Sequence, residues 1–423
     1  MRLQLVTAAL ALFAAVAHAQ PTPPAQEVRV RMNWQTHPAM HLPWRFFSKG
    51  LRDGLPTSLT YRHMFKQVVY APAMKASGVR IFGAAAMAAE RAENPRQARQ
   101  LILDQLAFVN AFVAAHPDEY AIARTPAEAR RILATTTKMV IVHQIEGGRK
   151  ILQQPGDAAF WRSQGVSLIT LIHLLDDELG GSAVNPGILG KLLNIGASLH
   201  PKRRRGLTAR GKQAIVEMAR AGIILDLSHM SPGSTDDALA VCRQHRIPPV
   251  VTHGAFRPVQ DSQRALSEAQ MLEVYRLGGI FCLPVDGGEW RNPTVAIPPG
   301  LVAGTQDALK LNVEVLHGFL RDHAVELLGR PWAQTSSAER TRLSIGWASD
   351  WNGWTNHSKP TPRRPGFPSG PALEVDRVGL AHPGLLPQYF QRLRESGLDL
   401  EPLDRASERF LQIWERVQAS ATP

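Results

Sequence analysis

Eight short apolar runs recur along the chain, and most are separated by stretches of helix-like sequence. Each run is rich in β-branched and aliphatic residues, which is typical of a strand buried on both faces of a parallel sheet. Alternating strands and helices predict an α/β fold, and eight strands in 423 residues suit a (β/α)8 TIM-type barrel with loop insertions and C-terminal helices. An open doubly wound sheet is the alternative. The runs are residues 28–33, 78–83, 138–146, 166–173, 222–229, 249–253, 278–285 and 343–350.

The stretches between the runs carry helix signals. After the second run, Asn94 is a suitable N-cap and Pro95 a suitable first helical residue. Ile102, Leu106 and Val109 then recur at helical spacing and form one apolar face. No glycine-rich phosphate loop occurs in the required strand–helix context, which argues against a nucleotide-binding protein.

The first residues have the pattern of an export signal. Residues 1–19 combine a positive start, an apolar stretch and a small-x-small cleavage site, and they predict a signal peptide. Residues 20–27 read as a flexible lead-in, and residues 28–423 as a single barrel domain with a proline-rich insertion at about 354–371. We therefore expect a periplasmic or secreted protein without a transmembrane span.

The formal net charge of +12 raises the question of an acidic partner. The basic residues are scattered, apart from "KRRRG" at 202–206 and "PRRP" at 362–365, and neither run is interleaved with aromatic residues. We interpret both runs as solubilising surface loops and expect no nucleic-acid partner, with weak attraction to the cell envelope as the alternative. The two cysteines, Cys242 and Cys282, are expected to be buried thiols.

Polar side chains with metal-binding chemistry stand at the ends of most runs. In a barrel the carboxyl ends of all strands lie at one face, where active sites are built. Neutral imidazoles together with carboxylates suit a borderline divalent ion such as zinc. The sequence therefore predicts a metal site at this face. The candidates are His37, Glu146, His173, His229, His253 and Asp350, with Gln35 beside the first of them.

Five motifs, in family order, resemble the membrane (renal-type) dipeptidase family of the amidohydrolase superfamily, especially its exported bacterial members. They are "VHQIEGG", "GVSLITLIHLLDDELGGS", "GLTARGKQAIVEMARAGIILDLSHMS", "PPVVTHGAFRPVQDSQRALSEAQM" and "GWASDWNG". "DLSHMS" followed by "PVVTHG" is the most specific pair. The resemblance covers most of residues 28–353 and implies a barrel that carries a binuclear zinc site.

The resemblance also implies roles in metal binding. It makes Glu146 the carboxylate that bridges the two metal ions, and His229 and His253 the other ligands of one ion. Asp350 resembles the aspartate that contacts metal and handles the proton of the attacking water. Such a pair of cations would activate the water and stabilise the tetrahedral oxygens.

For the substrate, the resemblance implies a small dipeptide. His173 matches the histidine that approaches the substrate and polarises the scissile carbonyl. Arg264 matches the position that binds the substrate carboxylate, a task that suits a planar guanidinium, and Arg257 is the alternative. Because family members often dimerise, a homodimer is a further expectation.

The first strand departs from the family pattern. Relatives carry His-x-Asp or His-x-His there, whereas this chain has Gln35, Thr36 and His37. A neutral amide is a poor zinc ligand beside imidazole, so the second metal position is expected to be weak, absent or completed by another group such as His41. We expect one or two zinc ions per chain.

Three functions follow, in order of preference. The first is a zinc-dependent hydrolase of small amides, a dipeptidase that uses a metal-activated water. The second is a mononuclear amidohydrolase that acts on another amide, an ester or a lactone, because one fold hosts many chemistries. The third is a metal-impaired pseudoenzyme with a binding role, which the glutamine at position 35 would explain.

Overall fold

A nearly closed barrel of eight parallel strands forms the centre of the computed structural model. Each strand pairs in parallel with the next along the chain. The structure describes residues 31–39, 50–52, 68–88, 92–184, 191, 194–199, 204–285, 288, 290, 292–351, 357–363 and 370–421. The strands are β1 (Arg31–Thr36), β2 (Val79–Met87), β3 (Met139–Glu146), β4 (Val166–Thr170), β5 (Ile224–Asp226), β6 (Val250–Val251), β7 (Ile280–Pro284) and β8 (Ile345–Ala348).

The predicted barrel is confirmed: six of the eight predicted runs contain one of its strands in full, and the runs at 28–33 and 78–83 overlap β1 and β2, which extend beyond them. The last strand returns to the first, because Asp350 N donates to Gln35 O at 3.0 Å and His37 N donates to Trp351 O at 2.9 Å. This closure excludes the open doubly wound sheet. The predicted signal peptide, the lead-in and His41 lie outside the described residues, as do residues 354–356 and 364–369 of the proline-rich insertion.

Helices connect the strands on the outside, and the described residues also form three short additional strand pairings and two 3-10 turns. Asn94 caps the second helix as predicted, since its Oδ1 accepts from Gln97 N at 2.9 Å. In the described part of the chain, no helix has the length and hydropathy needed to cross a bilayer. The helices are α1 (Ala71–Ala76), α2 (Pro95–Ala115), α3 (Pro126–Thr135), α4 (Asp157–Ser163), α5 (Ile195–Leu199), α6 (Ala209–Arg220), α7 (Pro232–His245), α8 (Glu268–Arg276), α9 (Gln306–Asp322), α10 (Ala324–Leu328), α11 (Ser337–Thr341), α12 (Glu374–Val378), α13 (Leu386–Glu395), α14 (Glu401–Asp404) and α15 (Ala406–Ala419).

The additional strands are short and lie off the main path of the barrel. Tyr120–Ile122 pairs with β3, Gly50–Arg52 pairs with Val68–Tyr70, and Ala255–Phe256 pairs with Ala265–Leu266. The 3-10 turns are Trp332–Gln334 and Pro383–Leu385. The pairing of Ala255–Phe256 with Ala265–Leu266 lies next to the two candidate arginines. Arg257 directly follows the first of these strands, and Arg264 directly precedes the second.

The barrel interior is apolar towards the amino-terminal ends of its strands. One buried cluster takes side chains from all eight strands, for example Met32, Ile81 and Ile224. The last helix, α15, closes this end: Phe410 lies edge-on to Trp34 at 5.2 Å between ring centroids, and Trp414 is fully buried. The apolar face of this terminal helix therefore packs against the barrel floor, and the opposite, carboxyl-terminal end is left for polar residues.

Both cysteines are buried free thiols, as expected. Cys242 lies in α7 and Cys282 in β7. Cys282 points towards β8, where a side chain at position 346 would come within 2.2 Å of its sulfur, so Gly346 is required for close approach of the two strands. The thiols therefore contribute to the packing of the barrel.

Candidate metal centre

Glu146 lies at the end of β3, at the carboxyl-terminal face of the barrel, and is only 3% exposed. Four imidazoles surround its carboxylate, each from the end of a different strand. The distances from Nε2 to a carboxylate oxygen are 3.1 Å for His37, 3.4 Å for His173, 3.2 Å for His229 and 3.4 Å for His253. The predicted ligands are thus brought together by the closure of the barrel.

The two oxygens of Glu146 face different groups. Oε1 lies beside His229 and His253, whose Nε2 atoms are 2.8 Å apart. Oε2 lies beside His37, whose Nε2 is also 3.1 Å from Asp350 Oδ1. Ligand atoms around a tetrahedral zinc ion, with bonds of about 2.0–2.1 Å, lie about 3.3–3.4 Å apart. Both groups therefore fit the ligand set of a divalent cation.

His173 reaches the same carboxylate. Its ring lies edge-on to that of His229, with 4.4 Å between centroids. One ligand atom each from Glu146, His173 and His229 can be chosen so that all lie within 4.8 Å of one another. His173 is therefore close enough to contact either a cation or a substrate oxygen beside it, and its substrate-polarising role stays a prediction.

Two of these residues have a left-handed backbone. The φ angles are 69° at His229 and 47° at Asp350, a region that costs energy for any residue with a β-carbon. Surrounding contacts hold both turns: Ala183 N donates to His229 O at 2.7 Å, and Asp350 N donates to Gln35 O. Such strained positions cluster at functional sites. The turn at His229 also explains why β5 ends three residues earlier than the predicted run.

Asp226, the last residue of β5, is fully buried and accepts from several donors. They are Thr170 Oγ1 at 2.6 Å, Ser228 N at 3.0 Å, Ser228 Oγ at 2.8 Å, Thr252 N at 2.9 Å and Thr252 Oγ1 at 2.7 Å. A buried carboxylate is tolerated when it is hydrogen-bonded in this way. The sequence assigned Asp226 no role. Its one signal was an acid at the end of an apolar strand.

Thr252 connects Asp226 to a candidate ligand. Its Oγ1 is 2.7 Å from Asp226 Oδ2, 2.8 Å from Gln35 Oε1 and 2.9 Å from His253 Nδ1. The hydroxyl has one proton, which the two oxygen acceptors share, so we infer that His253 Nδ1–H donates to the hydroxyl oxygen. This tautomer leaves His253 Nε2 unprotonated and directed at the centre, the arrangement that orients histidine ligands in metal sites.

The charges at the centre are tightly linked. Burial alone would lower the pKa of His37, but hydrogen bonds to Asp350 and Glu146, and the charges of both, raise it to about 10. Burial would likewise raise the pKa of Glu146, whereas the charge of His173 and hydrogen bonds from His229 and His37 hold it well below its usual range. His37 could serve as a ligand for a cation only after losing its proton, so metal uptake would be coupled to proton release.

Gln35 is hydrogen-bonded at both ends of its amide. Nε2 donates to Glu146 Oε1 at 2.8 Å, and Oε1 accepts from Thr252 Oγ1. An ionised carboxylate only accepts, so the NH₂ group must face Glu146. In this arrangement Gln35 acts as a donor to the bridging residue, and its predicted role as a ligand stays a prediction.

The structure separates the two candidate arginines. Arg264 Nη2 donates to His253 O at 3.3 Å, and its Nη1 has no hydrogen-bond partner within the described residues. Burial lowers the pKa of Arg264, and the charge of Glu146 opposes this shift. Arg257 Nη2 instead donates to Ala265 O, in its own loop, at 3.0 Å. Of the two, Arg264 is the one that adjoins the metal centre.

Residues 41–288 match the sequence profile described as membrane dipeptidase, peptidase family M19. The chain belongs to this family. The family assignment made from the motifs is therefore confirmed, and the family that the profile describes is one of dipeptidases. Membership in a metallopeptidase family also agrees with the cluster of histidines around Glu146.

Individual relatives agree with this assignment. An uncharacterized dipeptidase of Schizosaccharomyces pombe is 30% identical over 278 residues, which is 66% of this chain and 51% of that protein. Dipeptidase ataJ of Aspergillus terreus is 25% identical over 189 residues, or 42% of this chain and 44% of that protein. The chain thus aligns with about half the length of these relatives.

Solved structures of a probable dipeptidase and of a metallopeptidase share the fold. The probable dipeptidase PvdM of Pseudomonas aeruginosa superposes with a TM-score of 0.61 at 17% identity, covering 93% of this chain and 96% of that one. A metallopeptidase of Rhodobacter sphaeroides, solved with a phosphinate mimic of the dipeptide L-Ala-D-Ala, superposes with a TM-score of 0.60 at 18% identity, covering 92% and 99%. At these identities the likeness establishes the barrel alone.

Replacing Asp226 with asparagine is expected to weaken metal binding without removing any ligand. The side-chain NH₂ group of the asparagine would face hydrogen-bond donors that now donate to the carboxylate of Asp226. Thr252 would lose a hydrogen-bond acceptor, and the orientation of His253, which contacts Thr252, would be less well fixed. We expect zinc affinity to fall by about 10- to 100-fold and the free energy of unfolding to fall by about 1–3 kcal/mol. Competition with a chelator and urea denaturation measure the two effects.

The matched control is Asp322→Asn, on an exposed residue at the end of α9. It should leave both quantities unchanged. Wild-type zinc affinity in Asp226→Asn would contradict the role assigned to this carboxylate.

Proposed function

We propose that this M19 family member is a zinc-dependent dipeptidase that hydrolyses the peptide bond of small dipeptides with a free carboxyl terminus. The observation that carries the proposal is the position of Glu146. Each of its two oxygens faces its own group of ligands, His229 and His253 on one side and His37 with Asp350 on the other. A carboxylate with this surrounding is suited to bridge two cations.

Bound zinc supplies a water nucleophile at neutral pH and polarises the scissile carbonyl. We assign Asp350 to accept the proton of that water and return it to the leaving amine, since its side chain is 13% exposed and adjoins the centre. We assign His173 to donate to the oxygen that becomes negative during attack. These groups stand on different loops around one carboxylate, so a dipeptide bound there would contact all of them.

Arg264 gives the proposal its substrate class. Its unpartnered Nη1, next to the backbone of His253, offers a donor to the carboxylate of a dipeptide. A guanidinium binds a carboxylate through two parallel hydrogen bonds. The R. sphaeroides metallopeptidase was solved with a mimic of a dipeptide, which supports the same choice here.

The test is a substrate panel with the zinc-loaded protein. L-Ala-L-Ala and L-Ala-D-Ala are compared with their C-terminal amides, N-acetyl amino acids and lactones. We expect kcat/KM for a free dipeptide to exceed that for its amide by at least about 10-fold, because the amide cannot form the charged contact with Arg264. Preferential turnover of N-acetyl amino acids or lactones would replace the dipeptidase by another hydrolase on this centre. Zinc binding without any turnover would favour the binding protein.

The cellular location of the protein is a separate proposal. The sequence pattern of residues 1–19 supports export to the periplasm or the medium, where a dipeptidase would act on peptides outside the cytoplasm. Edman sequencing of the protein recovered from the exported fraction would test the cleavage before Gln20.

A further inference from the structure

The side chain of Arg205 is largely shielded from solvent although it belongs to the most basic run of the chain. The prediction of a solubilising loop is correct for Arg204, which is 63% exposed and pairs with Asp237, but wrong for Arg205, which is 9% exposed. Its guanidinium turns inwards between two loops. Charged side chains are rarely buried unless they are paired, so its partners decide what it does.

The guanidinium joins the loop after β4 to the loop after β6. Nη1 donates to Asp176 Oδ1 at 2.6 Å and to Ser182 O, and Nη2 donates to Gln263 Oε1 at 2.6 Å. Gln263 Oε1 also accepts from Val184 N at 3.1 Å. A planar group with donors in two directions is required here, because a lysine ammonium is a single point charge.

The backbone at this position is held equally closely. Ser231 Oγ donates to Arg205 O. A side chain at Gly181 would lie 2.5 Å from Arg205 Cβ, and one at Gly233 would lie 2.9 Å from Arg205 O. Because Gly181 and Gly233 have no side chains, the backbone of Arg205 can pass between the loops. Their close approach also fixes the position from which the arginine side chain extends.

The residues that Arg205 holds are next to the groups at the metal centre. Ser182 Oγ donates to His173 O, which follows β4. Ala183 N donates to His229 O at 2.7 Å. Gln263 directly precedes Arg264, whose Nη2 in turn donates to His253 O. One guanidinium therefore connects the loops that carry two of the histidines and the arginine.

We propose that Arg205 is a positioning residue that sets the distance between Arg264 and the metal centre, and thereby the recognition of the substrate carboxylate. The inference rests on the proposed function, since it assigns Arg264 to that carboxylate. Among the described residues, the hydrogen-bond partners of the Arg205 side chain are Asp176, Ser182 and Gln263, none of which is a candidate metal ligand. Its effect is expected in substrate binding, and the metal content should stay the same.

The experiment compares Arg205→Lys with Arg204→Lys in the zinc-loaded protein. For Arg205→Lys we expect KM for L-Ala-L-Ala to rise by about 10- to 100-fold, since small misplacements of binding groups have effects of this order. KM for the C-terminal amide should change little, so the preference for the free dipeptide collapses while kcat and zinc content remain near wild type. Arg204→Lys should resemble the wild type throughout.

A second readout does not depend on activity. Hydrogen exchange should accelerate in residues 173–184 and 258–266 of Arg205→Lys and not in Arg204→Lys. Faster exchange with an unchanged preference for the free dipeptide would reduce Arg205 to a structural residue and overturn the proposal. Unchanged exchange would overturn it as well.

A third variant covers the case in which Arg205→Lys does not fold. Gln263→Met removes the acceptor for Nη2 and keeps the contacts of Arg205 with the loop after β4. It should show the same loss of preference, and a wild-type preference would overturn the proposal. If the wild type hydrolyses no dipeptide, the proposed function fails on its own, and the exchange data still decide whether Arg205 couples the loops.

Discussion

Replacing Glu146 with glutamine is expected to abolish hydrolysis, with kcat/KM reduced by about 10³-fold or more. The amide has a single oxygen. Whichever way it is placed, its NH₂ group faces either His229 and His253 or His37, and that side of the centre loses its anionic ligand. The amide of Gln35, which now donates to Oε1, would lose its acceptor in one of the two orientations.

The measurement combines steady-state kinetics with metal analysis and thermal unfolding. Zinc content should fall along with activity, while a cooperative unfolding transition shows that the barrel is retained. Glu314→Gln is the control, because this exposed glutamate on α9 pairs along its own helix with Lys310 and, among the described residues, with no group of the metal centre. If Glu146→Gln kept its zinc and more than a tenth of its activity, Glu146 would not be the bridging ligand.

The barrel could be predicted from the sequence because its strands are buried on both faces. Parallel strands covered by helices require apolar residues at almost every position, so they stand out as continuous runs even without alternation. The ends of the strands were less predictable. The run at 222–229 contains only the three residues of β5, since hydrogen bonds to Asp226 and the left-handed turn at His229 draw the chain out of the ladder.

The candidate site could be predicted as far as the residue types and the barrel geometry determine it. Histidines and carboxylates at strand ends must meet at one face, and the structure brings them around Glu146. The residues that hold the candidate ligands in place could not be predicted in this way. Thr252 resembles any strand threonine, and Arg205 resembles any basic loop residue, because the direction of a side chain on a loop depends on contacts with distant segments.

Gln35 distinguishes this chain from the binuclear pattern that the motifs imply. Its NH₂ group donates to Glu146, and its oxygen already accepts a hydrogen bond from Thr252. On the other side, His37 Nε2 lies between Glu146 Oε2 and Asp350 Oδ1, 3.1 Å from each. Since borderline cations prefer imidazole to a neutral amide, we expect one tightly bound and one weakly bound zinc ion per chain.

Gln35→His is therefore expected to raise the zinc content retained on a desalting column from about one to about two ions per chain. A direct ligand should be worth more than the 10- to 100-fold that supporting residues contribute, so the second dissociation constant should fall by more than about 100-fold. Gln35→Leu is the matched control: it removes the same hydrogen bonds, adds no ligand, and should gain no ion. Titration with a competing chelator measures both constants. Two tightly held ions in the wild type would mean that Gln35, or a group beyond the described residues, already completes the second position, and the amide would then have to reverse its contacts with Glu146 and Thr252.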